Sequence, residues 1–507
     1  MLRRSKRALV FALIIASSAL VPVAEAGKAA PAMATVTLPN SSPLVTFRLL
    51  FNVGSASDPK GKEGLAQLTA SMLSDGGSRA MTYEQIVSAM YPMATGFGSQ
   101  VDKEMTVFSG TTHTDNLPKY YQIISAMLLD PGWRTEDFTR IREDQINYLK
   151  VSLRQANDEE LGKEALYNFI YKDGHPYGHD NAGTIAALDK LTLDDVKQFY
   201  RDHYTQANFV VGLAGGYPKG FDAKVQSDFT ARLAAGRADQ VTLPPPPKIN
   251  GLEMEVIEKN TASTAISFGF PIPVTRKDPD WAALLVMQSY LGQHRSSNSY
   301  LYQRLREIRG LNYGDYAYIE YFPRGMFQFH PDPNLARQQQ IFQVWIRPVE
   351  PKNGLFALRA GLFELNRLVR DGMAEKDFEA TRQFLTKFVN VLTKDQEAQL
   401  GYALDSRYYG IPSFTDYVRG QLAKLTLADV NRAIKKYLQT DNVKIIVITR
   451  DAQAFKDAAM SNKPSPISYT SPPAKAILEE DKLIEGYRLN FNPRGVEVVP
   501  VAQVFEK

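Results

Sequence analysis

Two segments of the chain share the same pattern of hydrophobic and polar positions. Leu188–Asn208 has the sequence LDKLTLDDVKQFYRDHYTQAN and Leu422–Asn442 the sequence LAKLTLADVNRAIKKYLQTDN, with eight identical positions at a constant offset of 234 residues. In each, a threonine followed three positions later by an aspartate precedes a helical spacing of apolar residues, which predicts a capped helix. The mostly apolar runs Phe209–Leu213 and Val443–Ile448 follow and predict strands. The chain therefore contains the same helix-strand unit twice.

A weaker repeat lies further upstream in each half. The apolar run Phe47–Val53 is followed by Asp58-Pro59 and a helical pattern, and Ile266–Phe270 is followed by Asp278-Pro279 and another. A period of 234 residues is too long for a solenoid and indicates the tandem duplication of a whole domain. The order of elements in each half predicts an α+β fold, in which long helices cover one face of a mainly antiparallel sheet.

Composition indicates where the two halves begin and end. The consecutive prolines Pro244–Pro247 predict a stiff, extended linker. Residues from about Ser461 onward are rich in Pro, Ser and Lys and indicate a tail, and its segment Val496–Val501 is compatible with one more strand. The predicted organisation is a signal peptide at 1–26, a first domain at 35–233, a linker at 234–250, a second domain at 251–460 and a tail at 461–507.

The first 26 residues have the pattern of a secretory signal peptide. Four basic residues precede the apolar run Ala8–Val23, and a small-x-small cleavage site ends at Ala26. The alternative is a membrane anchor, but serines and a proline interrupt the run, and a span needs about 20 apolar residues. No later segment is apolar enough to span a membrane. The mature protein is therefore expected to be periplasmic or secreted.

Charge and composition exclude several classes of function. The formal net charge of +4 falls to +1 without residues 1–26, which carry four basic residues and one acidic residue, so we expect no nucleic-acid partner. The chain has no cysteine and six histidines, which excludes disulfides, a cysteine nucleophile and thiolate metal sites. His175 and His179 are four positions apart, but Pro176 and Gly178 between them prevent the helix that would align them as metal ligands. No motif indicates a serine nucleophile or a phosphate-binding loop.

Several motifs, taken together, resemble those of the pitrilysin/insulinase-type zinc peptidases. The segment from Asp58 to Ala66 (D-P-x-G-x-x-G-L-A) is similar to the approach to the family's zinc helix. His175–Gly178 is similar to its HPYG loop, and the two L-T-x-x-D-V helices are similar to those that close each half. The resemblance extends over most of residues 35–460. It implies two halves that form a clam-like half chamber, and a metallopeptidase ancestry with the inverted zinc motif H-x-x-E-H.

The sequence departs from this family at the metal ligands. Gln67, Ala70 and Ser71 stand where the family has the first histidine, the glutamate and the second histidine of the motif. The family's third ligand, a glutamate on a later helix, falls near Asn147 or Tyr148. Zinc catalysis needs three ligands, an open coordination position and a base. The resemblance therefore predicts degenerate positions, no zinc in this chain and no peptidase activity by the chain alone.

One part of the family's site is retained in the second half. Leu305–Tyr313 resembles the family segment L-R-x-x-x-G-L-x-Y. The resemblance implies that Arg306 and Tyr313 hold a bound peptide across the chamber from the zinc, because both can donate hydrogen bonds to a peptide carbonyl. From the residues alone, the alternative is a local ion pair for Arg306 and a packed position in the sheet for Tyr313.

Three functions are compatible with these features. The first is the non-catalytic, substrate-binding or regulatory subunit of an exported heteromeric peptidase, whose H-x-x-E-H partner carries the zinc, as the resemblance to processing-peptidase-like heterodimers implies. The second is a stand-alone peptide-binding or scaffold pseudo-peptidase of the envelope. The third is an enzyme with relocated chemistry. The first two share a peptide or unfolded polypeptide as ligand.

Overall fold

Two β-sheets, one in each half, organise the chain. The computed structural model describes residues 33–507 apart from positions 173, 240 and 472, so the predicted signal peptide at 1–26 lies outside the described residues. The first half contains β1 (Ala34–Pro39), β2 (Leu44–Phe51), α1 (Leu65–Asp75), α2 (Tyr83–Met90), β3 (Gly98–Val101), β4 (Thr106–His113), α3 (Leu117–Leu129), α4 (Thr135–Asn147), α5 (Asp158–Tyr171), α6 (Ile185–Leu188), α7 (Leu193–His203), β5 (Phe209–Gly215) and α8 (Phe221–Arg232).

The second half and the tail continue the series of elements. They contain β6 (Leu252–Glu258), β7 (Thr264–Ile272), α9 (Trp281–Gly292), β8 (Asp315–Tyr318), β9 (Gln340–Val349), α10 (Gly354–Asp371), α11 (Glu375–Leu392), α12 (Gln396–Tyr409), α13 (Phe414–Lys424), α14 (Leu427–Tyr437), β10 (Val443–Thr449), α15 (Ala452–Ser461), α16 (Lys475–Glu485) and β11 (Phe491–Pro500). None of the helices in the described part of the chain is long and apolar enough to cross a membrane.

The two sheets have the same topology. The first has the strand order β1-β5-β2-β4-β3, in which β1 and β5 are parallel and the other neighbours antiparallel. In the second, β6-β10-β7-β9-β8 take the corresponding places, again with one parallel pair among them. The tail strand β11 adds to the edge of this sheet, parallel to β6. The predicted α+β class is confirmed, and the predicted strand in the tail is present.

The repeated segments fold as predicted into capped helices followed by strands. Thr192 precedes α7, and its hydroxyl accepts a hydrogen bond from the backbone N–H of Asp195, whose carboxylate accepts from the N–H of Thr192. Thr426 and Asp429 make the same reciprocal pair before α14. Both helices lead into central strands, β5 and β10, whose residues are all buried.

We expect the replacement Thr426→Ala to lower the free energy of unfolding by about 1 kcal/mol, because it removes the cap of an exposed helix start. Equilibrium unfolding in denaturant, followed by circular dichroism, measures this loss. Thr230→Ala is the matched control, since Thr230 is an exposed residue inside α8 and not its cap. Equal stability of the Thr426→Ala variant and wild type would contradict a stabilising role for the capping box.

Each sheet is also covered on its second face by a helix from the opposite half. α5 packs against β7 and β10, and α12 packs against β5 and β1. Gly162 permits the approach of α5, since a Cβ there would lie 3.0 Å from the Ser267 hydroxyl on β7. This second layer goes beyond the single helical face that the sequence predicts. It follows from central strands that are apolar at nearly every position and need cover on both sides.

The tail connects the two halves. In the second half, Glu480 on α16 binds Arg309 at 2.6 Å and Arg367 at 2.5 Å. Beyond β11, the backbone carbonyls of Phe505 and Glu506 each accept a hydrogen bond at 3.0 Å from the first turn of α6 in the first half. The side chain of Phe505 is buried in the first core. The tail is therefore part of the packing of both halves.

Candidate functional site

Helix α1 carries the three positions that replace the family's zinc motif. Gln67 and Ser71 are one turn apart, and Gln67 Nε2 donates a hydrogen bond of 3.1 Å to Ser71 Oγ. Ala70 is fully buried. The start of the helix is held by Asp58, whose carboxylate accepts from the backbone N–H groups of Gly64 and Ala66, both at 2.7 Å. Hydrogen bonds therefore fix the start of the helix that carries these positions.

Gly64 is required where the chain enters α1. Its φ of +99° is left-handed, and a Cβ at this position would lie 2.6 Å from the carbonyl oxygen of Ala182. The neighbouring Gln145 fastens the same corner, because its Nε2 donates to the carbonyl oxygens of Gly64 and Ala182 at 3.0 and 2.8 Å. Gly64, the second glycine of the D-P-x-G-x-x-G-L-A segment, is therefore required for steric reasons.

The structure brings Tyr148 onto the same cavity wall as Gln67 and Ser71. Tyr148 begins a π-helical continuation of α4 that runs to Leu153. It lines the cavity together with Gln67 and Ser71, whereas Asn147, the other candidate for the third position, is not among the residues that line it. A π-helical turn shifts the helix register and often occurs at functional sites.

This cavity lies between the two halves and has a volume of about 1,030 Å³. The second half contributes mainly the loop between β8 and β9 to the lining. Tyr321, Arg324 and Phe327 are among the loop residues that line the cavity. Carboxylates outnumber guanidinium groups in the lining, with Asp75, Asp144, Glu160, Glu164, Asp180, Asp332 and Glu397 against Arg48, Arg140 and Arg324. The lining therefore has an acidic surplus among its charged side chains.

The side chains at the ligand positions do not fit a zinc ion. An amide, a hydroxyl and a phenol replace the two imidazoles and the carboxylate that such a site needs. Within the described ranges, no cluster of three or more His, Cys, Asp or Glu side chains is arranged to hold a metal ion. These residues can accept and donate hydrogen bonds, but they provide no metal-bound water and no general base.

A buried ion pair joins the halves behind this site. Arg337 in the second half donates from Nε to Asp102 in the first at 2.8 Å, and a second guanidinium nitrogen bonds the other carboxylate oxygen. The two side chains are 1% and 0% exposed. The guanidinium also lies 3.7 Å above the ring of Tyr321. No pattern in the sequence distinguishes these two residues, so sequence reasoning missed them.

Other buried titratable groups lie near this pair. Burial, followed by the nearby charge of Asp180, raises the pKa of Glu164 to about 8, and Tyr321 donates to its carboxylate at 2.7 Å. Burial, followed by the charge of Lys103, lowers the pKa of His179 to about 3, so this imidazole is neutral at pH 7. The HPYG loop belongs to the same centre, because the hydroxyl of Tyr177 bonds the carboxylate of Glu104. These groups lie together with Arg337 and Asp102 in the buried centre between the two halves.

Arg306 and Tyr313 lie together, but away from this cavity. The Arg306 guanidinium is 5.6 Å from the ring centre of Tyr313 and 4.6 Å from that of Tyr302. Tyr313 is 75% exposed and precedes β8, so it does not pack in the sheet. Neither Arg306 nor Tyr313 is among the residues lining the cavity that Gln67 and Ser71 share.

The arginines next to Arg306 are bound internally, whereas Arg306 is not. Arg304 bonds Glu364 at 2.8 Å, and Arg309 bonds Asp481 at 2.8 Å. Arg306 has one ion pair among the described residues, a long one of 3.9 Å to the adjacent Glu307, and a third of its side chain is exposed. The retained pair therefore presents a guanidinium and a phenol to the surface.

Comparisons with known proteins show which family this chain resembles. The model for insulinase (peptidase family M16) matches residues 34–178, and the model for the peptidase M16 inactive domain matches residues 190–385. A non-peptidase homolog, YmxG, from Helicobacter pylori is 21% identical over 80% of this chain and 89% of its own length. An uncharacterized zinc protease from Rickettsia bellii is 25% identical over 56% of this chain and 67% of its own length.

Other matches cover different shares of the matched protein's length. Relatives from Mycobacterium, also named uncharacterized zinc proteases, are matched over about half of their length, 53%. Among solved structures, a peptidase M16 inactive domain from Pseudomonas fluorescens has a TM-score of 0.72 at 21% identity, covering 82% of this chain and 96% of that one. This likeness shows that the fold is shared.

Proposed function

The chain belongs to peptidase family M16 as a homologue without the zinc motif, and from this premise we propose that it is the non-catalytic, peptide-binding subunit of an exported heteromeric peptidase. Its partner is an H-x-x-E-H homologue that carries the zinc. The observation that carries the proposal is the wall formed by Gln67, Ser71 and Tyr148. These residues line a cavity of about 1,030 Å³, and their amide, hydroxyl and phenol groups do not make a zinc site.

The position of Arg306 and Tyr313 supports a role at a contact with another subunit. They do not line the chain's own cavity, and their polar groups are not committed to the internal ion pairs that hold Arg304 and Arg309. A guanidinium and a phenol at the surface can donate hydrogen bonds to a peptide backbone that the partner binds on its other side. In this proposal, the pair contributes to a chamber that the two subunits share.

We expect Arg306→Ala to lower peptide hydrolysis by the reconstituted two-subunit enzyme by about tenfold to a hundredfold, the usual effect of removing a charged hydrogen-bond donor from a bound carbonyl. The assay combines this chain with the H-x-x-E-H homologue from the same organism. Arg370→Ala is the matched control, because Arg370 is an exposed arginine paired only with Asp371 in the described structure. Unchanged hydrolysis with Arg306→Ala would contradict the role of the pair.

A second function, a stand-alone peptide-binding or scaffold protein of the envelope, is favoured by one observation. The two halves of this one chain line a cavity of about 1,030 Å³, so a peptide site does not require a second subunit. Purification of the chain from its source, with whatever accompanies it, separates the two functions. A co-purified zinc-containing homologue supports the subunit, whereas peptide affinity of the lone chain with no such partner supports the scaffold. Chelator-resistant hydrolysis by the lone chain would indicate relocated chemistry.

A further inference from the structure

The second half contains another, smaller cavity. It has a volume of about 110 Å³ and lies between β8 and the helices α9, α11 and α13. Its inner walls are apolar, and the contributing side chains are Leu285, Ile319, Phe322, Leu385, Val389, Phe414 and Val418. Phe329, which is 65% exposed, is also among the lining residues. An apolar cavity of about 150 Å³ holds benzene. The cavity in this protein, at about 110 Å³, is of the size of one leucine or phenylalanine side chain.

The polar groups in the lining are mostly satisfied within the protein. Glu320 accepts from Arg276 Nε and from Trp281 Nε1, both at 3.0 Å. Gln288, which is 8% exposed, donates from Nε2 to the carbonyl of Ala317 at 2.7 Å. Its Oε1 makes no hydrogen bond to any other described residue. The cavity therefore has a mainly apolar interior, and its charged group Glu320 is paired.

The small cavity adjoins the large one. Both are lined by the loop between β8 and β9, and Tyr321 contributes to the wall of each. Phe327, which is 76% exposed, lines the large cavity, and Phe329, two positions further along, lines the small one. Exposed aromatic rings of the same loop therefore belong to the linings of both cavities.

We propose that this small cavity is an anchor site for one leucine or phenylalanine side chain of an extended polypeptide bound in the large cavity. The proposal rests on the peptide-binding role proposed above and gives that role a preference in sequence. The apolar walls bind the side chain, since burial removes its surface from water.

The test uses two blocked nine-residue peptides of Gly and Ser, one with a central phenylalanine and one with a central alanine. We expect wild type to bind the phenylalanine peptide at least about tenfold more tightly, measured by calorimetry. Val389→Phe fills the cavity from α11 and should bring the two affinities together. Val391→Phe is the matched control, because Val391 is 43% exposed on the same helix and does not line the cavity.

Competition with toluene keeps the test valid if Val389→Phe fails to fold. Toluene should displace the phenylalanine peptide from wild type and leave the binding of the alanine peptide unchanged. Equal affinity for the two peptides would overturn the anchor site and leave the peptide-binding role intact. Binding of toluene without any preference between peptides would indicate a site for free apolar molecules and also overturn the anchor. If neither peptide binds, both proposals fail.

Discussion

Replacement of Arg337 by methionine is expected to lower the free energy of unfolding by about 3–5 kcal/mol, the cost of leaving a buried charge without its partner. The guanidinium and the carboxylate of Asp102 are almost completely buried and belong to different halves of the chain. Without Arg337, Asp102 would keep the amide of Asn181, at 3.2 Å, as a side-chain donor, but no guanidinium. The ring of Tyr321 would also lose the cation above it.

Denaturant unfolding of wild type and variant measures this loss, and two further variants test its cause. Arg370→Met removes an exposed arginine, 65% accessible, from its pair with Asp371, and should cost less than about 0.5 kcal/mol. The double variant Asp102→Leu/Arg337→Met removes both buried charges and should recover part of the stability. An Arg337→Met variant within about 1 kcal/mol of wild type would show that the pair does not hold the halves together.

The second large effect is a gain of metal binding. We expect the triple variant Gln67→His/Ser71→His/Tyr148→Glu to bind about one zinc ion per chain, at least about a hundredfold more tightly than wild type. Gln67 and Ser71 are already one turn apart, at hydrogen-bond distance, and Tyr148 lines the same cavity. Ala70 is left unchanged because it is fully buried and a carboxylate there would be desolvated.

Zinc per chain after dialysis, measured by elemental analysis, together with competition against a chelator, determines the affinity. The control is Gln198→His/Asp202→His, which places two histidines at the same spacing on the exposed face of α7. Two ligands without a third give a weak site, so this control should bind far less zinc. If the triple variant binds no more zinc than the control, these three positions do not correspond to the family's ligands.

Part of the site was accessible from the sequence. The replaced ligands Gln67 and Ser71 were identified from the motif that leads into α1, because this motif is continuous along the chain. The sequence leaves the third position between Asn147 and Tyr148, and the structure places Tyr148 on the cavity side of the helix, one turn after Asp144 and Gln145, which also line the cavity. The resemblance implies a position for Arg306 across the chamber from the zinc, but Arg306 does not line the cavity that Gln67 and Ser71 share. Its segment is a motif, but its orientation depends on how the two halves pack.

The sequence by itself determined the duplication, the capped helix before each central strand and the loss of the zinc ligands. The caps and the replaced H-x-x-E-H positions are encoded by residues a few positions apart, whose spacing follows from helix and turn geometry, and the duplication is visible because such a local pattern recurs 234 residues later. Only the tertiary structure revealed the Arg337–Asp102 pair, the exchange of α5 and α12 between the halves and the two adjoining cavities. These features depend on contacts between distant segments, and such contacts leave no local pattern because packing selects them once the elements have formed.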